Sequence, residues 1–323
     1  MRTTITRRRF VGTSLGLAAA SGVWPLLGRM AEGAEEKLVV GLRDVHLREI
    51  GEKDCWSSLR GVGAEGVEVE VADDLSLPNL VSPGTNYSLA DEGSIAKFAA
   101  DAKAAGVKIP ALFTANHFDS RPEFEIDWVT KVARAAKTLG TPAIRIDVVP
   151  GKTAGDEFQK LATETLKKLV AATEATGVAL AIENHGDTTN RPEFLEKLFK
   201  EVGSQRLGLT LDTANFYWFG HPLSKLYDLY ESLAPRVHHT HIKSIKYPEA
   251  SREKRRAMGW EYDKYCCPIY EGDIDFRRVV TILRKAGYKN DLCVEDESLS
   301  KFPAKARRDV LSKEVRHLKL ILG

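Results

Sequence analysis

Cysteine is scarce in this chain, four in 323 residues, and no two of the four form a C-x-x-C pair. That excludes a disulfide scaffold and a thioredoxin-type redox motif. Cys266 and Cys267 are adjacent and Cys293 falls inside an apolar alternation, so free thiols are expected, with a Cys55–Cys266 loop bridge as the alternative. There is no low-complexity tract, no linker and no close sequence repeat. Neither sign of charge dominates: 47 Lys and Arg stand against 45 Asp and Glu.

The N-terminus has its own composition. "TRRRFVG", Thr6 to Gly12, precedes a weakly apolar run from Val11 to Leu27 and then small residues around Ala31 to Ala34. This reads as a twin-arginine signal peptide over residues 1–33, with Arg7 and Arg8 as the pair. It predicts handling by the twin-arginine translocase, a periplasmic mature protein and no stable membrane span. A span needs about 20 apolar residues, and this run is shorter. The alternatives are a basic tail or an anchor. Removing the segment takes five basic residues (Arg2, Arg7, Arg8, Arg9, Arg29) and Glu32, which turns the net charge from +2 to −2. A slightly acidic mature chain argues against nucleic acid as a partner.

Residues 34–323 alternate strand and helix signals throughout. "VALAIENHGD" sets Val178, Leu180 and Ile182 against Ala179, Ala181 and Glu183, the pattern of a strand buried on both faces with an acid at its tip. "RLGLTLDTAN" repeats it, ending at Asp212, and "DLCVEDE" repeats it, ending at Glu295. "VHHTHIKS" is less regular but puts His239, His241 and Lys243 on one face.

Earlier strands are read in "KLVVGLRDV", "GVEVEVADD", "VKIPALFTANHF" and "PAIRIDVVPG". Helices follow from caps and stops: Asp91 to Ala105 closed by Gly106, a helix opened by Ser120 and Pro122, and one opened by Asn190 and Pro192. Others are opened by Pro222 and closed by Gly287, and the last runs from Ala304 to Leu322. The Leu75–Ala90 loop is long enough to be a lid. Eight strands alternating with eight helices give a single-domain α/β fold, a (β/α)8 TIM barrel.

Spacing tests this. Glu183 to Asp212 is 29 residues, Asp212 to His241 another 29, and His241 to Glu295 is 54, one unit plus an irregular insertion. An average unit in a barrel of ~250 residues is about that long. Each of the four polar residues therefore sits one strand beyond the last, at the C-terminal mouth where barrels do chemistry. Three carboxylates there are costly unless something positive compensates. A divalent cation does so, and oxygen-rich ligation with one imidazole suits Mn²⁺, Mg²⁺ or Co²⁺, with Zn²⁺ compatible.

The stretches "IENHGD", "LDTAN", "HTHIKS", "YEGDIDF" and "LCVEDE" resemble the xylose-isomerase-like TIM-barrel superfamily of sugar isomerases and epimerases. The resemblance covers the second half best. It implies that Glu183, Asp212, His241 and Glu295 bind one metal ion and that Glu183 and Glu295 serve as base and acid. The reaction it implies is isomerisation or epimerisation of an unphosphorylated sugar through an enediolate beside a carbonyl. The same intermediate can expel a β-leaving group, so a lyase, hydratase or dehydratase on a keto-sugar or keto-glycoside is the alternative. A non-catalytic carbohydrate-binding barrel is the alternative of another class. Ser244 stands where the family usually has Asp.

His185, Lys243, His117 and Trp218 are candidate contacts for a small carbohydrate, and a homo-oligomer is compatible with the sequence. His46 follows strand one to the same mouth. Trp56, Phe216 and Trp260 lie in loops where they either stack on sugar or pack beneath the loops. Glu68, Glu70, Arg145 and Asp147 read as an interior charge network.

Overall fold

The computed structural model describes residues 37–323; the twin-arginine reading falls outside them. Eight parallel strands close a barrel: β1 (Val39–Arg43), β2 (Gly66–Glu70), β3 (Ala111–Thr114), β4 (Ala143–Ile146), β5 (Ala179–Glu183), β6 (Leu207–Asp212), β7 (Val237–Ile242) and β8 (Asp291–Val294). Each pairs with its sequence neighbour, and β1 closes against β8. Eight longer helices surround it: α1 (Cys55–Val62), α2 (Glu92–Ala105), α3 (Pro122–Leu139), α4 (Gly155–Ala172), α5 (Pro192–Val202), α6 (Leu223–Leu233), α7 (Phe276–Lys285) and α8 (Ala304–Leu322). Between β7 and β8 a two-stranded antiparallel ribbon pairs Ser244–Ile245 with Cys266–Cys267. No helix among the described residues is long and apolar enough to cross a membrane.

The strand pattern divides the residues into two layers. Val40, Leu42, Val67, Val69, Leu180, Ile182, Leu207, Leu209 and Leu211 are fully buried toward the helices. Burial of each such side chain contributes about 1.5–3 kcal/mol, which offsets the cost of gathering charged residues on the opposite, inward face. Asp91 caps α2 by accepting from the Ser94 N–H, and Gly106 closes that helix in the left-handed conformation.

Two expected caps are corrected. Arg121, not Ser120, precedes α3 and makes no side-chain cap; the Glu125 carboxylate instead reaches back to the His117 N–H and the Asn116 amide and ties the preceding loop to the helix. Asn190 bonds Asn184 and the Gly186 carbonyl instead of opening α5, which fixes the loop that follows Glu183.

The Leu75–Ala90 loop is pinned rather than free. Leu77, Leu80, Tyr87 and Leu89 are buried, and Tyr87 accepts from the Trp56 indole within a cluster that includes Phe98. Trp56 and Phe216 are buried packing groups, so the stacking role does not apply to them. All four cysteines are free, and no Cys55–Cys266 bridge forms.

Strand β7 carries an irregularity that explains its untidy sequence pattern. Val237 pairs with Leu209 but His239 pairs with Thr210, so His238 is an extra residue in a β-bulge. Gly208 makes this packing feasible: a Cβ there would overlap the Arg236 carbonyl and the His238 ring. Gly208→Ala is expected to destabilise the protein by roughly 2–3 kcal/mol or more, seen as a lower urea midpoint. An unchanged midpoint would mean that the bulge is not tightly packed.

Candidate active site

Glu183, Asp212, His241 and Glu295 converge at the C-terminal mouth, with one ligand-type atom from each lying within 4.8 Å of all the others. All four are buried. Strand register accounts for part of this, since Asp212 sits beside His241 and His241 beside Cys293, two residues before Glu295.

His241 is the pivot. Its Nε2 lies 2.9 Å from Glu68 Oε2; its Nδ1 lies 2.9 Å from Glu183 Oε1 and 3.2 Å from Glu295 Oε2. A carboxylate can only accept, so the Nε2–H donates to Glu68 and Nδ1 faces the cluster. Burial alone would lower the imidazole's pKa, but Glu68, Glu295 and Glu183 outweigh it and hold the ring protonated. A carboxylate behind the ring is the arrangement that orients a metal-binding histidine.

The acids differ in their surroundings. Burial would raise Glu183, yet Arg145, which donates to it from β4, and His241 together hold it below the ordinary carboxylate range. Asp212 accepts from the Ala214 and Asn215 N–H groups at 2.8 Å through Oδ1. Burial pushes its carboxyl up to about 7; Lys243 opposes the shift, and Glu295 and Glu183 add to it. Burial also works against Glu295, but Lys243, His241 and Arg43 keep it ionised. Arg43 Nη1 lies 2.5 Å from Glu295 Oε1.

A divalent ion fits this donor set. Three oxygens and a nitrogen face one another, and Asp212 Oδ2 and Glu295 Oε2 are buried without a hydrogen bond. Both lie beside Lys243 Nζ, at 2.9 and 3.1 Å, while that ammonium directs its hydrogen bond to Glu297. An ion there would displace the Nδ1 proton of His241 and share the two oxygens with Lys243. The expectation that an ion alone relieves the clustered acids is modified, because Arg43, Arg145 and Lys243 already supply three positive charges.

The remaining sequence candidates separate. Lys243 is buried at the centre of the site. His185 is half exposed at the rim, its Nδ1 3.5 Å from Asp147 Oδ1, and that carboxylate raises its pKa. His117 is exposed, and its backbone is tied to Glu125. Trp218 is partly buried and packs beside Gly259 of the insertion, and Trp260 packs on Tyr247 and Tyr265. Among the contacts of the described residues, neither His117 nor Trp218 touches the four converging residues.

Arg43, Glu297 and Tyr262 were not singled out by sequence. Arg43 shares inward parity with Val39 and Gly41, a signal present in "VVGLR". Glu297 and Tyr262, whose hydroxyl donates to Glu297, lie in irregular segments with no period to read.

His46 is structural: its Nε2 accepts the Asp296 N–H at 3.1 Å, directly behind Glu295. Burial, with Arg43 adding, lowers its pKa to about 4. The neutral ring is the folded form, so its contribution is fully present above the unfolded value of about 6.5 and lost as pH falls through about 4. The linkage is on the order of 3 kcal/mol. His46→Gln is expected to flatten the loss of stability between those two pH values in denaturant titrations; parallel pH profiles for variant and wild type would contradict this.

Comparison with known proteins follows the same geometry. A family model described as xylose isomerase-like TIM barrel matches residues 57–321. Inosose dehydratase of Clostridium perfringens is 26% identical over 147 residues, 44% of this chain and 48% of that protein, so the chain spans about half the length of the curated relatives it matches. A crystal structure of IOLI protein with a bound zinc atom superposes with a TM-score of 0.64 at 18% identity, covering 87% of this chain and 98% of that one. The probable 3-DHS dehydratase AsbF of Bacillus anthracis gives 0.61 at 16% identity, covering 87% and 99%. With the family match running from α1 into the last turn of α8 around a closed eight-stranded barrel, the chain belongs to the xylose isomerase-like TIM barrel family.

Proposed function

We propose that the protein is a metal-dependent dehydratase that removes water from an unphosphorylated keto-sugar or polyol ketone. The observation that carries this reading is the pairing, in one buried site, of a carboxylate held ionised by Arg145 with an ammonium group, Lys243, held by Glu297. Elimination beside a carbonyl needs one base and one acid of that kind.

Glu183, Asp212, His241 and Glu295 would hold the divalent ion, Mn²⁺, Mg²⁺, Co²⁺ or Zn²⁺, which when bound supplies Lewis acidity at the substrate carbonyl. Glu183 takes the proton from the carbon next to the carbonyl. Its electron pair forms the new C=C bond as the β C–O bond breaks. Lys243 gives a proton to the departing oxygen, which leaves as water, and Glu297 with Tyr262 connects the amine to the rim for reprotonation. Arg145 and Arg43 hold Glu183 and Glu295 in position.

Dehydration, the alternative from sequence, moves ahead of isomerisation because proteins similar to this chain are named inosose dehydratase and probable 3-DHS dehydratase. Isomerisation or epimerisation remains the second reading. Glu183 Oε1 and Glu295 Oε2 bracket the same nitrogen, His241 Nδ1, and two carboxylates about one point favour removal and return of a proton. Export through the twin-arginine route to the periplasm is part of the proposal and rests on Arg7 and Arg8. A mature N-terminus still at Met1 would remove it.

The reaction is tested by following inososes and keto-sugars by NMR in deuterated water with added Mn²⁺, Mg²⁺, Co²⁺ or Zn²⁺. An unsaturated product is expected, and Glu183→Gln should lower kcat by about 10²–10⁴. Lys243→Gln should slow water loss by about 10² while deuterium still enters beside the carbonyl. Deuterium exchange with no water loss in the wild type would transfer the assignment to the isomerase reading. Calorimetric binding with neither would transfer it to a carbohydrate-binding barrel.

A further inference from the structure

One layer beneath the mouth, strands β2, β7 and β8 bring together a second set of donors. Glu68 of β2, His239 of β7 and Cys293 of β8 each place a ligand-type atom within 4.8 Å of the other two. None of the three is more than 1% exposed. Their chemistry differs from that of the four mouth residues, because a sulfur replaces two of the oxygens.

The histidine is already oriented. His239 Nδ1 lies 2.9 Å from Asp291 Oδ1, which also accepts from the Tyr288 hydroxyl at 2.8 Å. A carboxylate on Nδ1 fixes a proton there and turns Nε2 inward; burial would lower the ring's pKa, but Asp291 and Glu68 raise it, so an ion would take the place of the Nε2 proton. Nε2 stands 3.3 Å from Glu68 Oε1, yet neither atom makes a hydrogen bond. The two atoms face each other as an ion pair without hydrogen-bond geometry. Their separation suits an intervening ion: with metal–nitrogen and metal–oxygen bonds of about 2.0–2.2 Å, tetrahedral neighbours stand roughly 3.3–3.6 Å apart. The other Glu68 oxygen is engaged, 2.9 Å from His241 Nε2 and 3.0 Å from Arg43 Nε, so Oε1 is the one available.

We propose that Glu68, His239 and Cys293 bind a zinc ion inside the barrel, at a site separate from the four residues of the mouth. Thiolate with imidazole and one carboxylate selects zinc over magnesium or manganese, which prefer oxygen. Binding exchanges the thiol proton and the His239 Nε2 proton, both released to solvent, for a sulfur–zinc and a nitrogen–zinc bond, with no change in oxidation state. Burial on all sides means that the ion enters as the barrel folds and leaves slowly. Through Glu68 it would also fix the His241 ring from behind. The proposal stands whether or not the mouth carries out the reaction assigned above.

The test uses full-length protein produced with zinc in the medium and dialysed against chelator. Elemental analysis is expected to find about one zinc retained, and zinc-edge X-ray absorption to find a sulfur neighbour at about 2.3 Å. Cys293→Ser should lose the sulfur signal and at least tenfold in zinc retention, whereas Glu295→Gln, which alters only the mouth, should keep both. Wild-type protein that retains no zinc, or zinc with no sulfur neighbour, overturns the proposal, as does a sulfur signal that survives in Cys293→Ser. Should Cys293→Ser fail to fold, the wild-type absorption spectrum decides alone.

Discussion

Charges drawn inside a closed barrel have to neutralise one another, because water cannot reach in to do it, and this constraint organises the mouth of the molecule. Isolated, any one of Glu68, Glu183, Asp212 or Glu295 would be costly to bury. Together they form a lattice in which Arg43 joins Glu68 to Glu295, Arg145 meets Glu183 and Asp147, and Lys243 joins Asp212, Glu295 and Glu297. His241 touches three of the acids and so holds the two layers of the lattice in register. The apolar outward faces supply the burial energy that makes such a lattice affordable.

Much of this was legible in sequence because a strand alternates strictly. Parity placed Glu183, Asp212, His241 and Glu295 on inward faces, and unit spacing placed them at one end; neither inference needed tertiary information. What stayed hidden depended on tertiary contacts. Ser120 and Asn190 are good caps by type, but Arg121 and Arg191 take the cap positions without a side-chain bond, and Asn190 is engaged in the β5 loop by neighbours that no local rule anticipates. Trp56 and Phe216 lie in mouth loops by sequence position and in packed clusters by contact. Glu297 and Tyr262 reach Lys243 from segments without periodicity.

The chemistry depends on how differently the fold treats like residues. Glu183 and Asp212 end neighbouring strands in the same way, yet Arg145 keeps the first ionised, while the second, deeper and among other acids, holds its proton near neutrality. Lys243 has the opposite charge and sits between two of the acids. A single site therefore holds carboxyls of opposite proton affinity beside an ammonium group, and the proposed acid and base roles rest on that difference.

The bulge at His238 sets the phase of β7. Upstream of it Val237 faces the helices; downstream His239 and His241 face the interior, although in an unbroken strand residues two apart would all share one face. The inserted residue is thus a phase marker. Keeping His238 in an unbroken strand would force either Val237 inward or both imidazoles out among the helices, whereas removing it would leave Val237 opposite Leu209 and His239 opposite Thr210 in a regular ladder. Related chains can accordingly be expected either to carry the extra residue, with a glycine at position 208 to leave room for it, or to run β7 as an unbroken strand one residue shorter.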